Sequence, residues 1–122
     1  MNNNRSGKIA ELMARMLFRL KGYRIVGKNF KAGKNMNIGE IDFVAIKKNY
    51  LIFAEVKKRA NLETAAYAIS ENQKRRIIRG AELFLKRYPK YRNMDVRFDV
   101  VLVAFPLKLK HLKNAWQCES VN

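Results

Sequence analysis

The stretch GEIDFVAIKKNYLIFAEVKKR, residues 39–59, decides how this chain folds. Two short apolar runs, Gly39 to Lys47 and Tyr50 to Lys58, flank a tight turn at Lys48 and Asn49, the pattern of a β-hairpin. With those two turn residues Lys47 faces Tyr50, Asp42 falls opposite Glu55 and Glu40 opposite Lys57. A four-residue loop keeps that register, whereas a loop of three or five residues makes the pairing diagonal. Side chains alternate along a strand, so Glu40, Asp42, Glu55 and Lys57 share one face with Val44, Ile46, Leu51 and Phe53. Ile41, Phe43, Ala45, Ile52, Ala54 and Val56 take the other. Both faces are largely apolar beyond the acid end, which places this hairpin at the centre of a sheet.

Two carboxylates directly opposed across a hairpin have Cβ atoms about 5 Å apart. At an effective dielectric of about 20 their charges repel by about 3 kcal/mol, so a counter-charge or a retained proton is required. A divalent cation meets that need, since Mg²⁺ favours carboxylate oxygens and keeps several of its waters. Lys57, two residues beyond Glu55, reaches the same place with a positive charge and a proton donor. Asp42 and Glu55 holding a metal, with Lys57 beside an attacking water, is the arrangement that phosphate hydrolysis uses. The competing reading is an ordinary hairpin with solvent-facing ion pairs, because charged residues are mostly exposed.

Working outward, Ser6 reads as an N-cap, and Ile9, Leu12, Met13, Met16, Leu17 and Leu20 recur at helical spacing before Gly22. YRIVGKNF (23–30) reads as a strand and KAGKNMN (31–37) as a basic loop. ANLETAAYAI (60–69) is ambiguous between a short helix and a connection. Ser70 then opens a second helix, with Gln73 as the capping-box partner three residues on. Ile77, Ile78, Ala81, Phe84, Leu85 and Tyr88 form its expected buried stripe and Pro89 ends it. Lys74, Arg75, Arg76, Arg79, Lys86 and Arg87 cover its flanks. DVRFDVVLVAF (95–105) reads as a buried strand, and PLKLKHLKNAW (106–116) as one more edge strand. The order α-β-β-β-α-β predicts an α/β fold, a mixed sheet with helices packed on it.

The 122 residues suit a single domain spanning 1–122, with 1–5 and 117–122 as flexible tails. Twenty-six Lys and Arg against ten Asp and Glu give a formal charge of +16. A surplus of that size points to a polyanionic partner, because neutralising phosphates supplies most non-specific affinity for nucleic acid. The single cysteine, Cys118, forms no internal disulfide and fits a reducing cytoplasm. No stretch approaches the ~18 apolar residues of a membrane span, and MNNNRSGK lacks the apolar core of a signal peptide. A cytoplasmic location without membrane association is the expectation.

The ordered motifs resemble a known family. Gly39-Glu40-Ile41-Asp42, Glu55-Val56-Lys57-Lys58-Arg59, Gln73-Lys74-Arg75-Arg76, Arg97-Phe98-Asp99-Val100-Val101 and Asn114-Ala115-Trp116 are similar to the pattern of the uncharacterised YraN-like bacterial proteins. The acid-lysine core resembles half of the PD-(D/E)xK nuclease motif. The resemblance spans Ala10 to Trp116 and implies a restriction-endonuclease-like fold, similar also to archaeal Holliday junction resolvases. Ile41 stands where the broad motif has proline, the segment after Arg59 lacks a Phe-Gly-x-Pro signature, and the 31–37 loop is longer than usual.

The resemblance implies a metal-dependent DNA endonuclease, acting on branched or otherwise structured DNA. Its site would use Asp42, Glu55, the Val56 carbonyl and Glu11 for Mg²⁺ or Mn²⁺, with Lys57 at the attacking water and Gln73 assisting. Glu11 reads equally as an i,i+4 partner of Arg15, and Gln73 as the capping partner of Ser70. Arg59, Lys74, Arg75, Arg76 and Arg79 are the expected nucleic-acid contacts. Related junction enzymes work in pairs, so a homodimer is expected on the resemblance alone. A non-catalytic nucleic-acid-binding protein of the same fold is the competing function, and a basic module for an acidic protein a third.

Four further residues have bland readings. Asp99 reads as a buried acid held by a neighbouring arginine, and His111, the only histidine, as a surface residue. Tyr88 and Tyr91, beside Arg87, Lys90 and Arg92, are placed to stack bases, yet read more readily as caps on the core.

Overall fold

The computed structural model of the chain describes residues 2–31, 40–62 and 69–116, with side chains from residue 7 onwards. Its elements are α1 (Asn2–Leu20), β1 (Arg24–Phe30), β2 (Ile41–Lys47), β3 (Tyr50–Lys58), α2 (Glu71–Arg87), β4 (Asp95–Ala104) and β5 (Lys108–Trp116). The five strands form one sheet in the order β1-β2-β3-β4-β5. All neighbours are antiparallel except β3 and β4, which run parallel with α2 as the connection between them. This is the expected α/β fold, a mixed sheet flanked by two helices, consistent with a restriction-endonuclease-like domain.

The hairpin forms in the expected register. Lys48 adopts the left-handed conformation at φ 55° in the turn, and Lys47 pairs with Tyr50. With β3 central and β2 and β4 beside it, alternate side chains bury on opposite faces. Val44, Leu51, Phe53, Phe98, Val100 and Leu102 pack with Ile77, Ala81 and Phe84 of α2. Phe43, Ala45, Ile52, Ala54, Val101 and Val103 pack with Ala10, Ala14 and Phe18 of α1. Each fully buried large side chain, such as Phe18, Phe43 or Phe53, contributes about 1.5–3 kcal/mol.

Two boundaries differ from expectation. The first helix begins at Asn2 and not after Ser6, so residues 2–5, expected as a tail, are helical. Once a helix is anchored, adding a residue at its end costs far less than nucleating a turn, and the first turn extends backwards. Tyr88, expected in the buried stripe of α2, is the C-cap residue and is 44% exposed, because the chain leaves helical geometry before Pro89. The expected strand start at Gly39, most of the 31–37 loop, the ambiguous segment at 63–68 and the 117–122 tail lie outside the described residues.

Candidate functional site

The site is assembled where β2 and β3 part. Their pairing runs from Lys47 and Tyr50 to Phe43 and Ala54. One position further, the backbone amide of Val56 donates to Asp42 Oδ2 at 2.7 Å. A side-chain carboxylate here accepts from a β3 backbone amide just past the end of the strand ladder. Ile41 packs in the α2 layer although Phe43, two residues away, packs in the α1 layer, so side-chain alternation is broken across Asp42. That break lets Asp42 neighbour Glu55 on the α2 side and Glu11 of α1 together. Asp42 and Glu55 therefore adjoin as expected, though beyond the last ladder pair.

Glu55 is 7% exposed. Its Oε2 accepts from Gln73 Nε2 at 3.2 Å and faces Lys57 Nζ at 3.4 Å. Its Oε1 is buried and has no hydrogen-bond partner among the described residues. Gln73 touches both the cap and the cluster, and only half of the expected capping box forms. Its backbone amide donates to the Ser70 hydroxyl at 3.1 Å, while its side chain turns away to Glu55. Lys57 pairs with Glu55, and Glu40, its expected cross-strand partner, is exposed.

Burial and crowding make this cluster reluctant to carry full negative charge. Desolvation, then the neighbouring Glu55, push Asp42 up to about 7, despite the stabilising Val56 amide. Glu11 is likewise pushed up to about 7, by partial burial, then by Asp42; Arg15 pulls the other way and does not prevail. Glu55 is raised by burial against the opposing pull of Lys57. Among the described residues, no group of three or more His, Cys, Asp and Glu stands in a metal-holding arrangement. Glu11 thus meets the site as a neighbour of Asp42.

The expected basic residues gather near the same end. Arg59 follows directly on β3, its amide bonded to the Val103 carbonyl at 2.9 Å. Lys74, Arg75, Arg76 and Arg79 occupy the early turns of α2, the helix that begins at Glu55 through Gln73. Lys74 pairs with Glu71 at 3.1 Å, Arg75 is exposed, and Arg76 is half-buried with its Nε unpartnered.

The model of Uncharacterised protein family UPF0102 matches residues 10–103. The chain belongs to this family. Similar UPF0102 proteins include amb4503 of Paramagnetospirillum magneticum, 43% identical over 116 residues that cover 94% of this chain and 89% of that protein. A Rhodopseudomonas palustris relative is 42% identical, covering 92% of this chain and 80% of its own. One from Parvibaculum lavamentivorans is also 42% identical, with 93% and 82% covered.

In this UPF0102 chain a second polar group lies on the other face of the sheet. Asp99 is fully buried and accepts from Arg97 Nε at 2.9 Å, Arg97 Nη2 at 2.8 Å and the Asn114 amide at 3.0 Å. His111 Nε2 lies 2.7 Å from the same carboxylate, and Lys21 Nζ lies 2.9 Å from His111 Nδ1. A lysine ammonium only donates, so Nδ1 accepts and Nε2 carries the proton to Asp99. Burial would raise Asp99, but these donors outweigh it and hold its carboxyl below the ordinary carboxylate value. Arg97 also donates to the Tyr23 hydroxyl at 2.7 Å.

The expected arginine partner of Asp99 is present, but His111 is not a surface residue. Its side chain is 2% exposed and packs tilted against Phe18, the ring centroids 4.5 Å apart. The β4–β5 register pairs His111 with Val101, on the face shared by Asp99, and that register was the missing signal. The network ties α1 to β5 and stands apart from the acid cluster.

Among the described residues no helix is long and apolar enough to cross a membrane.

Proposed function

We propose that this protein is a metal-dependent nuclease that hydrolyses phosphodiester bonds of DNA, with branched or structured DNA as its substrate. The observation that carries the reading is the buried pair of Asp42 and Glu55, with Lys57 Nζ 3.4 Å from Glu55, on a chain of charge +16. Without a cation the pair is poorly satisfied, because Glu55 Oε1 is buried without a partner among the described residues and Asp42 is pushed towards protonation at neutral pH. These features fit Mg²⁺ or Mn²⁺, since Mg²⁺ is commonly held by one or two carboxylates, its remaining positions filled by waters and substrate phosphate oxygens.

Asp42, Glu55 and the Val56 carbonyl would hold the ion. A bound divalent cation supplies charge neutralisation at the phosphate and eases deprotonation of water. Gln73 fixes Glu55 through Oε2 and leaves Oε1 for the ion. The Val56 amide fixes Asp42, and Glu11 lies beside it. Lys57 places an ammonium where charge develops on the phosphate oxygens. Arg59, Lys74, Arg75, Arg76 and Arg79 would carry the strand by its phosphates.

The test is incubation of the purified protein with labelled single-stranded, duplex, flap and four-way-junction DNA, with Mg²⁺, Mn²⁺ or EDTA. Cleavage that needs the metal supports the reading, and binding without cleavage under either metal contradicts it. The missing third carboxylate ligand among the described residues favours one alternative, a non-catalytic nucleic-acid-binding protein of the same fold. That alternative expects DNA binding unchanged by Asp42→Asn and no stabilisation by divalent cations.

A further inference from the structure

We propose that the cleft between β1 and the C-terminal end of α2 takes an unpaired nucleobase of a nucleic-acid strand, by stacking on the exposed ring of Tyr88 beside lysines. The inference rests on the nucleic-acid reading above and names a part of the substrate that the acid cluster does not touch.

The cleft is a cavity of about 340 Å³ whose walls include Phe30, Tyr88 and Tyr91, with Lys28 and Lys90 at hand. Three rings are set around the buried Phe84. Phe30 meets it edge-on at 5.2 Å, Tyr88 is tilted at 4.8 Å and Tyr91 is stacked at 5.8 Å. Phe84 is a core residue, so this arrangement is held by the fold. Gly27 also lines the cavity, and a Cβ there would sit 3.6 Å from the Phe84 ring. Tyr88 leaves 44% of its surface in water.

The charges around the rings select the occupant. Arg87 lies over Phe30 at 5.5 Å and Lys90 over Tyr91 at 5.2 Å, and no acidic side chain lines the cavity among the described residues. An acidic peptide would use the cations but leave the exposed Tyr88 ring idle, and a neutral apolar ligand would do the reverse. A base with its phosphate uses both, as in proteins that bind single strands.

The position agrees. Gln73, in the first turn of α2, touches Glu55, and Tyr88 caps the far end of that helix. At ~1.5 Å per residue the cleft lies roughly 20 Å along α2 from the acid pair.

The test is fluorescence anisotropy in EDTA with three labelled probes: a single-stranded oligothymidylate, an abasic oligomer of the same length, and a blunt duplex. The wild type is compared with Tyr88→Ala and Tyr88→Phe, each checked for an unchanged thermal midpoint. Tyr88→Ala should weaken the oligothymidylate about tenfold and leave the abasic oligomer and the duplex unchanged, and Tyr88→Phe should restore binding. Equal effects on intact and abasic strands, or none, overturn the inference while the nuclease reading stands. A wild type that binds none of the three probes overturns both. Should Tyr88→Ala lower the thermal midpoint, Lys90→Gln and quenching of tyrosine fluorescence by oligothymidylate but not by the abasic oligomer decide in its place.

Discussion

The Asp42 carboxylate accepts the Val56 amide at 2.7 Å, just beyond the last residue pair that β2 and β3 form as a ladder. One side chain thus extends the hairpin and supplies an acid to the cluster, which couples the charge state of the site to the stability of the sheet.

That coupling has a sign. Asp42 and Glu11 rise from ordinary values of 3.8 and 4.5 to about 7, so between these values the folded state binds more protons than the unfolded chain. Their contribution to stability is full below about pH 4 and is lost as pH rises through about 7. The stability of Asp42→Asn relative to wild type should therefore increase from pH 4 to pH 8 in metal-free urea titrations. A difference that does not change with pH would contradict the coupling.

A cation should replace the missing protons. At pH 7.5 Mg²⁺ or Mn²⁺ should raise the thermal midpoint of the wild type, by about 2.7 kcal/mol of stability at a hundredfold excess over Kd. Asp42→Asn and Glu55→Gln should show no such rise in differential scanning fluorimetry, and EDTA should reverse it.

Ser70 and Gln73 separate capping from the site. Ser70→Ala removes the acceptor for the Gln73 amide and should cost about 1 kcal/mol of stability with the site intact. Gln73→Ala keeps that amide but frees Glu55 Oε2, so it should spare most stability while weakening divalent-cation affinity about tenfold or more. Denaturant midpoints and calorimetric titration read the two effects.

Asp99 should behave as a structural acid. Asp99→Ala leaves Arg97, 14% exposed, without its carboxylate and should cost about 3 to 5 kcal/mol. His111→Ala removes one donor to Asp99 and should cost less, about 1 to 3 kcal/mol. Urea unfolding measures both.

The hairpin was readable because its turn is two residues long and its strands alternate, so the acids' register followed from Lys47 and Tyr50. The break in alternation at Asp42 was not, since it depends on how Ile41 and Phe43 divide between two helix layers far away in sequence. The orientation of Gln73 was open for a similar reason, because Ser70 and Glu55 are satisfied by different atoms of one residue. His111 was misplaced because burial of a lone polar residue depends on strand register, and the β4–β5 register shifts near Asp99. The start of α1 was set too late, because a good N-cap residue does not stop a helix from extending further back.

The central claim is that Asp42, Glu55 and Lys57 form one hydrolytic site, and single-turnover cleavage of a labelled four-way junction with protein in excess tests it most directly. The account expects cleavage with Mg²⁺ or Mn²⁺, none in EDTA, loss in Asp42→Asn and Glu55→Gln, and a fall of about a hundredfold or more in Lys57→Ala. All three variants should still bind the junction. Cleavage that survives Asp42→Asn at the wild-type rate, or a wild type that binds the junction and leaves it intact with either metal, would contradict it.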